Sequence, residues 1–113
     1  MAPTRRVRII WSPLAIQRVE SIALEIAGDR PAPADRWVGS IFARAKQLIA
    51  YPASGRMVPK FARPELRQLP HPPYRLIYRV ETARVVILTD ASHREELDPT
   101  EIVGRDTPSR QAE

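Results

Sequence analysis

Proline placement constrains this chain more than any other feature. A proline fixes φ and donates no backbone hydrogen bond, so it is excluded from helix interiors and central strands. Nine of the twelve prolines fall at Pro13, Pro31, Pro33, Pro52, Pro59, Pro64, Pro70, Pro72 and Pro73. The stretches between them carry two distinct hydrophobic periods, helical first and strand-like afterwards.

Before the first of these prolines, Val7, Ile9 and Trp11 alternate with Arg6 and Arg8, which predicts a mostly buried strand. Ser12-Pro13 then reads as a helix start: serine accepts an orphan backbone N–H and proline suits the first helical position. Ala15, Val19, Ile22 and Ile26 recur at three- and four-residue spacing, and Gly28 supplies a stop. A second helix is expected from about Ala34, after Pro31 and Pro33, with Ala34, Val38, Ile41, Ala45 and Leu48 as its stripe and Tyr51-Pro52 as its end. Residues 52–64 read as a loop. Residues 65–69 read as a strand, and Pro70-His71-Pro72-Pro73 as a turn. In residues 74–81, Tyr74, Leu76, Tyr78 and Val80 point one way, and Arg75, Ile77, Arg79 and Glu81 the other. A hairpin turn at Thr82-Ala83 leads to a last strand around Val85, Val86, Ile87 and Leu88.

The expected order is therefore β-α-α-β-β-β. Segregated helices and strands predict an α+β domain with a helical hairpin packed on one face of a mostly antiparallel sheet. The opposite face is expected to stay open to a partner. A length of 113 residues suits one domain, expected over residues 1–103, with residues 104–113 as a flexible tail.

Composition removes several function classes. The chain has no cysteine, which excludes disulfides, thiolate metal sites and cysteine nucleophiles and fits a reducing cytoplasm. Two histidines with no ligand spacing do not make a metal site, and four scattered glycines make no phosphate-cradling loop. No metal or cofactor is expected. No run is long and apolar enough for a membrane span, and the charged N-terminus does not resemble a secretory signal.

The formal charge of +5 is unevenly spread. Residues 51–80 hold six basic side chains (Arg56, Lys60, Arg63, Arg67, Arg75, Arg79) against Glu65 alone, while residues 81–113 hold four basic and eight acidic ones. A basic middle followed by an acidic end points to a local anion-binding surface. Arginine's planar fork suits phosphate oxygens, and Arg75 and Arg79 project from one strand face. The same arginines could instead pair with Glu65, Glu81 or acids of the tail. His93, at the end of the last strand, is placed for proton transfer near neutral pH. A lone histidine beyond a strand is more often a polar loop residue.

Taken in order, these motifs resemble the RelE/ParE superfamily of type II toxin–antitoxin toxins. The resemblance rests on the strand entering Trp11-Ser12-Pro13, the hairpin ending at Tyr51-Pro52, Gly55-Arg56-Met57-Val58-Pro59, and Glu65-Leu66-Arg67. It continues through Tyr74-Arg75-Leu76-Ile77-Tyr78-Arg79-Val80 and Val85-Val86-Ile87-Leu88 to His93-Arg94. It spans roughly residues 5–97 and implies the α+β fold derived above.

The resemblance implies two branches. In the ribosome-dependent mRNA endoribonucleases, the arginine opening the Tyr-Arg-Leu-Ile-Tyr strand holds the scissile phosphate, here Arg75. Basic loop residues assist, matched by Arg56 and Lys60, and a histidine after the last strand acts as acid, matched by His93. Arg67, Arg79 and Arg94 would add anion or target contacts. Some members place a glutamate base where this chain has Val58, and many have a tyrosine near the last strand where this chain has none. The incomplete nuclease set favours the ParE-like branch, which inhibits DNA gyrase and needs no nuclease residues. Either branch implies a cognate antitoxin forming a hetero-oligomer. A basic, non-toxic binding module is the third alternative.

Overall fold

The computed structural model describes residues 7–102. The expected tail over residues 104–113, and the charged segment before Val7, lie outside the described residues. The elements run β1 (Arg8–Trp11), α1 (Pro13–Ala27), α2 (Pro31–Ala50), β2 (Arg56–Met57), β3 (Leu66–His71), β4 (Tyr74–Val80), β5 (Arg84–Ser92) and α3 (Pro99–Ile102). The strands form one five-stranded sheet in the order β1-β5-β4-β3-β2. β1 runs parallel to β5, and the remaining pairs are antiparallel. The α+β class and the helical hairpin against a mostly antiparallel sheet are those expected.

α1 starts as its sequence dictates. The Ser12 hydroxyl accepts from Ala15 N at 3.1 Å and donates to the Leu88 carbonyl at 2.9 Å, which ties the helix start to β5. Gly28, at φ 49°, closes the helix and its N–H donates to Leu24 O. α2 begins at Pro31, three residues earlier than the sequence predicts. Both prolines sit in the first turn, where the backbone N–H has no acceptor to lose, so they start the helix and do not delay it.

Two further departures concern proline and the loop. Pro70 and His71 belong to β3 and not to the turn, which is reduced to the cis-bonded Pro72-Pro73. Pro70 faces Arg75 across the ladder. Its missing N–H points toward the sheet edge beyond the end of β2, where no strand asks for it. The loop over residues 52–64 contains β2, which pairs Arg56 with Gln68 and Met57 with Arg67. Gly55 makes that short strand possible: a Cβ there would collide with the Gln68 carbonyl and the Tyr78 hydroxyl. The Gly55 N–H donates to the Tyr78 hydroxyl at 2.8 Å, and its carbonyl accepts from Arg67 Nη1 at 2.9 Å.

The sheet is packed on both faces, which corrects the expectation that one face stays open. Under the helices, Ala15, Val19, Ile41, Ala45 and Leu48 meet Leu69, Leu76, Tyr78, Val85 and Ile87. On the outer face, Leu66, Ile77, Val86 and Leu88 are buried beneath Val58 and Phe61 of the loop and Leu97 and Ile102 of the C-terminal segment. Among the described residues, no helix is long and apolar enough to cross a membrane.

Candidate functional site

Three regions carry exposed chemistry. The first is the free edge of β1. In a parallel ladder, alternate residues of an edge strand turn their backbone groups to the partner and the others turn away. Arg8 N and Ser12 N donate to Ala83 O and Ile87 O, so the backbone groups of Ile9 and Trp11 face outward. Beside that edge runs a groove of about 540 Å³, lined by Val7, Ile9, Trp11, Phe42 and Ile49 among others, with Arg8 and Lys46 as its cations. Trp11 and Phe42 pack with ring centroids 4.6 Å apart, and Phe42 stays partly exposed. An apolar trough with free backbone groups and a positive rim suits an extended segment carrying apolar and acidic side chains.

The second region is the basic loop and β2 edge. Arg56 and Met57 are exposed there, and Tyr51 lies exposed nearby in sequence. Lys60 Nζ pairs with Glu96 at 3.3 Å and Arg63 with Glu65 at 2.6 Å, both on the surface. Arg67 is spent on Gly55 O. Val58 is fully buried, so the loop position where some relatives carry a general base points into the outer core.

The third region is the β4–β5 hairpin, with Arg75 at the start of β4 beside the end of β5, and Arg79 at the opposite end beside the turn. Arg75 Nη1 donates to Gln68 Oε1 at 3.3 Å, Nη2 donates to Glu95 O at 2.9 Å, and Nε is buried without a partner. Arg79 donates through Nε and Nη2 to Glu81, which also accepts from Arg84 at 2.6 Å. Burial pushes the Glu81 carboxyl up, but the hydrogen bonds from Arg84 and Arg79 outweigh it and hold the group below its ordinary value. His93 and Arg94 are exposed just after β5. The His93 N–H donates to Pro73 O at 3.1 Å, which brings the histidine to the β3–β4 turn. No hydrogen bond joins Arg75 and His93 among the described residues. The sequence-derived site is thus spread: Arg56 and Arg67 lie at the β2 edge, Arg75, His93 and Arg94 around the start of β4, and Arg79 near its far end, while Lys60 is tied through Glu96 to the segment after β5.

Sequence reasoning missed two polar clusters, one partly exposed and one around a buried carboxyl. Ser40, Trp37 and Arg44 of α2 gather on the β3–β4 turn. His71 Nε2 lies 2.9 Å from Ser40 Oγ, and Arg44 Nε donates to Pro70 O at 2.7 Å. Burial first, and then Arg44, holds the His71 imidazole below its ordinary value, so it is the neutral form that is favoured. A histidine between prolines gives no signal of this contact. The other missed group is Asp90, with Arg18 and Glu95. No cluster of three or more histidine, aspartate or glutamate side chains suited to a metal is present among the described residues.

A small α+β domain with a helical hairpin, a mixed five-stranded sheet and a basic loop edge is the architecture of the RelE/ParE superfamily. The family described as "ParE toxin of type II toxin-antitoxin system, parDE" matches residues 9–97, and the chain belongs to it. Among solved structures, the chain is similar to one titled "Chromosomal ParDE TA system from P. aeruginosa". The TM-score is 0.66 at 21% identity, covering 77% of this chain and 96% of that one. It is also similar to the toxin–antitoxin complex RelBE2 from Mycobacterium tuberculosis, with a TM-score of 0.60 at 17% identity, covering 84% of this chain and all of that one. No curated protein sequence matches significantly.

Proposed function

We propose that this toxin acts by protein–protein contact on DNA gyrase in the cytoplasm, and that a cognate antitoxin silences it by occupying the β1 edge. The observation that carries the first part is Val58. RNA cleavage through the 2′-hydroxyl needs a group to take a proton, a group to give one and positive charge on the phosphate. The loop position available for the base is a buried valine, and the Arg75 guanidinium is engaged by Gln68 and Glu95. The exposed Arg56, Met57 and Tyr51 supply a mixed cationic and apolar surface of the kind a protein target uses.

The antitoxin part rests on charge and shape. The groove beside β1 offers apolar walls, outward backbone groups and the rim cations Arg8 and Lys46. Its occupant is an extended antitoxin segment that adds a strand, sets apolar side chains against Trp11 and Phe42, and lays acidic groups on the rim. The solved structures of similar fold include complexes titled toxin–antitoxin, which supports such a partner.

The test is a supercoiling assay with purified gyrase. The protein is expected to inhibit supercoiling, and the antitoxin to restore it. Phe42→Asp is expected to weaken the antitoxin by tenfold or more, roughly 1.4 kcal/mol, while inhibition of gyrase persists. Unimpaired supercoiling at excess toxin overturns the gyrase assignment. Unchanged antitoxin affinity in the Phe42 variant overturns the groove assignment. The ribonuclease alternative keeps one supporting observation, the exposed His93 at the end of β5, and predicts ribosome-dependent mRNA cleavage instead.

A further inference from the structure

Asp90 is the buried group that neither packing nor the proposed function explains. It lies in β5 opposite Leu76, on the face under the helices, and is 0% exposed. Neither carboxylate oxygen has a hydrogen-bond partner. Burying a carboxylate without donors penalises its charged form. Burial raises the Asp90 pKa from an ordinary 3.8 to about 7, with Arg18 opposing the rise and Glu95 adding to it.

The groups that face Asp90 come from three elements. From α1, Arg18 Nε donates to the Asp90 carbonyl at 3.1 Å, and Arg18 Nη2 donates to Glu95 Oε1. From β4 comes the Tyr74 hydroxyl, raised by burial first, then by Glu25 of α1 and by Asp90 itself. From the turn after β5 comes Glu95, and α2 presents the uncharged Trp37 ring to Tyr74. Arg18 is therefore one cation hydrogen-bonded to the Glu95 carboxylate and to the Asp90 backbone, near enough to the Asp90 carboxyl to favour its charged form without bonding it. Glu95 Oε1 also accepts from Ser92 N, and the Glu95 carbonyl accepts from Arg75 Nη2. Glu95 thus pins the turn that leads to Leu97 and Ile102, which close the outer core.

We propose that Arg18, Asp90 and Glu95 form a proton-operated latch that sets how tightly residues 92–102 close over the outer face of the sheet. With Asp90 protonated, Arg18 belongs to Glu95 and the segment is held. With Asp90 ionised, its carboxylate draws Arg18 and repels Glu95, and the segment loosens. Opening takes Glu95 off the end of β5, where it meets Arg18 beside Asp90, so that water reaches the carboxyl from that end and returns it toward its ordinary pKa. The closed form is therefore fully stabilised below that ordinary value. The stabilisation is lost progressively as pH rises toward neutrality and is gone above it. His93 and Arg94 ride on the same segment, so their placement follows the latch.

Hydrogen exchange of the full chain, followed by mass spectrometry and corrected for intrinsic base catalysis, tests this. In the wild-type protein the opening constant for residues 92–102 is expected to rise between about pH 5 and about pH 7 by up to tenfold per unit, then level off. Asp90→Asn is expected to flatten that profile and to leave the segment at least about tenfold more protected than wild type at about pH 8. The same pH profile in both proteins overturns the latch. If Asp90→Asn does not fold, the carboxyl carbon of Asp90 in the wild-type chain decides by NMR. A midpoint near neutrality that the amide exchange of residues 92–102 follows upholds the latch, and a midpoint in the ordinary carboxylate range, or exchange that does not follow it, overturns it.

Discussion

Leu48 and Leu97 are both buried leucines of the same domain, yet they belong to opposite sides of the sheet and are covered by different means. Leu48 belongs to a 20-residue helix whose apolar stripe repeats through Ala34, Ile41 and Ala45. Leu97 belongs to an irregular segment held by Arg18, Arg75 and Lys60 through Glu95 and Glu96. Regular elements close the inner face through repeated apolar contact. Polar ties to short segments close the outer face. The inner face should therefore be the more rigid of the two, and the outer face the one that responds to pH.

Truncations sharpen that comparison, measured by denaturant unfolding. Leu48→Ala is expected to cost the most, about 2–5 kcal/mol, because the surrounding helices and strands cannot collapse into the cavity. Leu97→Ala is expected at the low end, about 2 kcal/mol, since its segment can relax around the loss. Lys60→Ala is expected to cost under about 0.5 kcal/mol, because its ion pair with Glu96 is solvent-exposed. Equal costs for the two leucines would break the comparison and make the outer cluster as firm as the inner one.

Much of the architecture was legible in the sequence, and the failures have physical causes. α1 was marked by Ser12-Pro13 and Gly28, whose capping chemistry is local. The alternation of β4 was legible because its own period is unbroken: Leu76 and Tyr78 lie in the inner core, Ile77 in the outer. The start of α2 was misplaced because a proline breaks a helix in its middle but favours its first turn. Pro70 was assigned to a turn because nothing local says that the edge beside it is empty.

Asp90 was hidden by a register shift. Ile77 pairs with Thr89 and Tyr78 with Ile87, so Leu88 is an extra residue in β5. Counting alternate residues from Val85 and Ile87 puts Thr89 inward and Asp90 outward. The bulge reverses that and carries the carboxyl under the helices. The site divides in the same way. Arg56 and Lys60 were legible as exposed cations, whereas the β1 groove depends on which strand ends up at the sheet edge, a property of topology that no local motif encodes.

The most direct measurement of the functional account is growth arrest by His93→Ala in cells lacking the antitoxin. His93 is exposed, and its only described hydrogen bond comes from its backbone, so the substitution leaves the fold intact. The account predicts undiminished arrest and undiminished inhibition of supercoiling, because contact with a protein target needs no proton donor. Loss of arrest in the variant, together with ribosome-dependent mRNA cleavage by the wild-type protein, would contradict it.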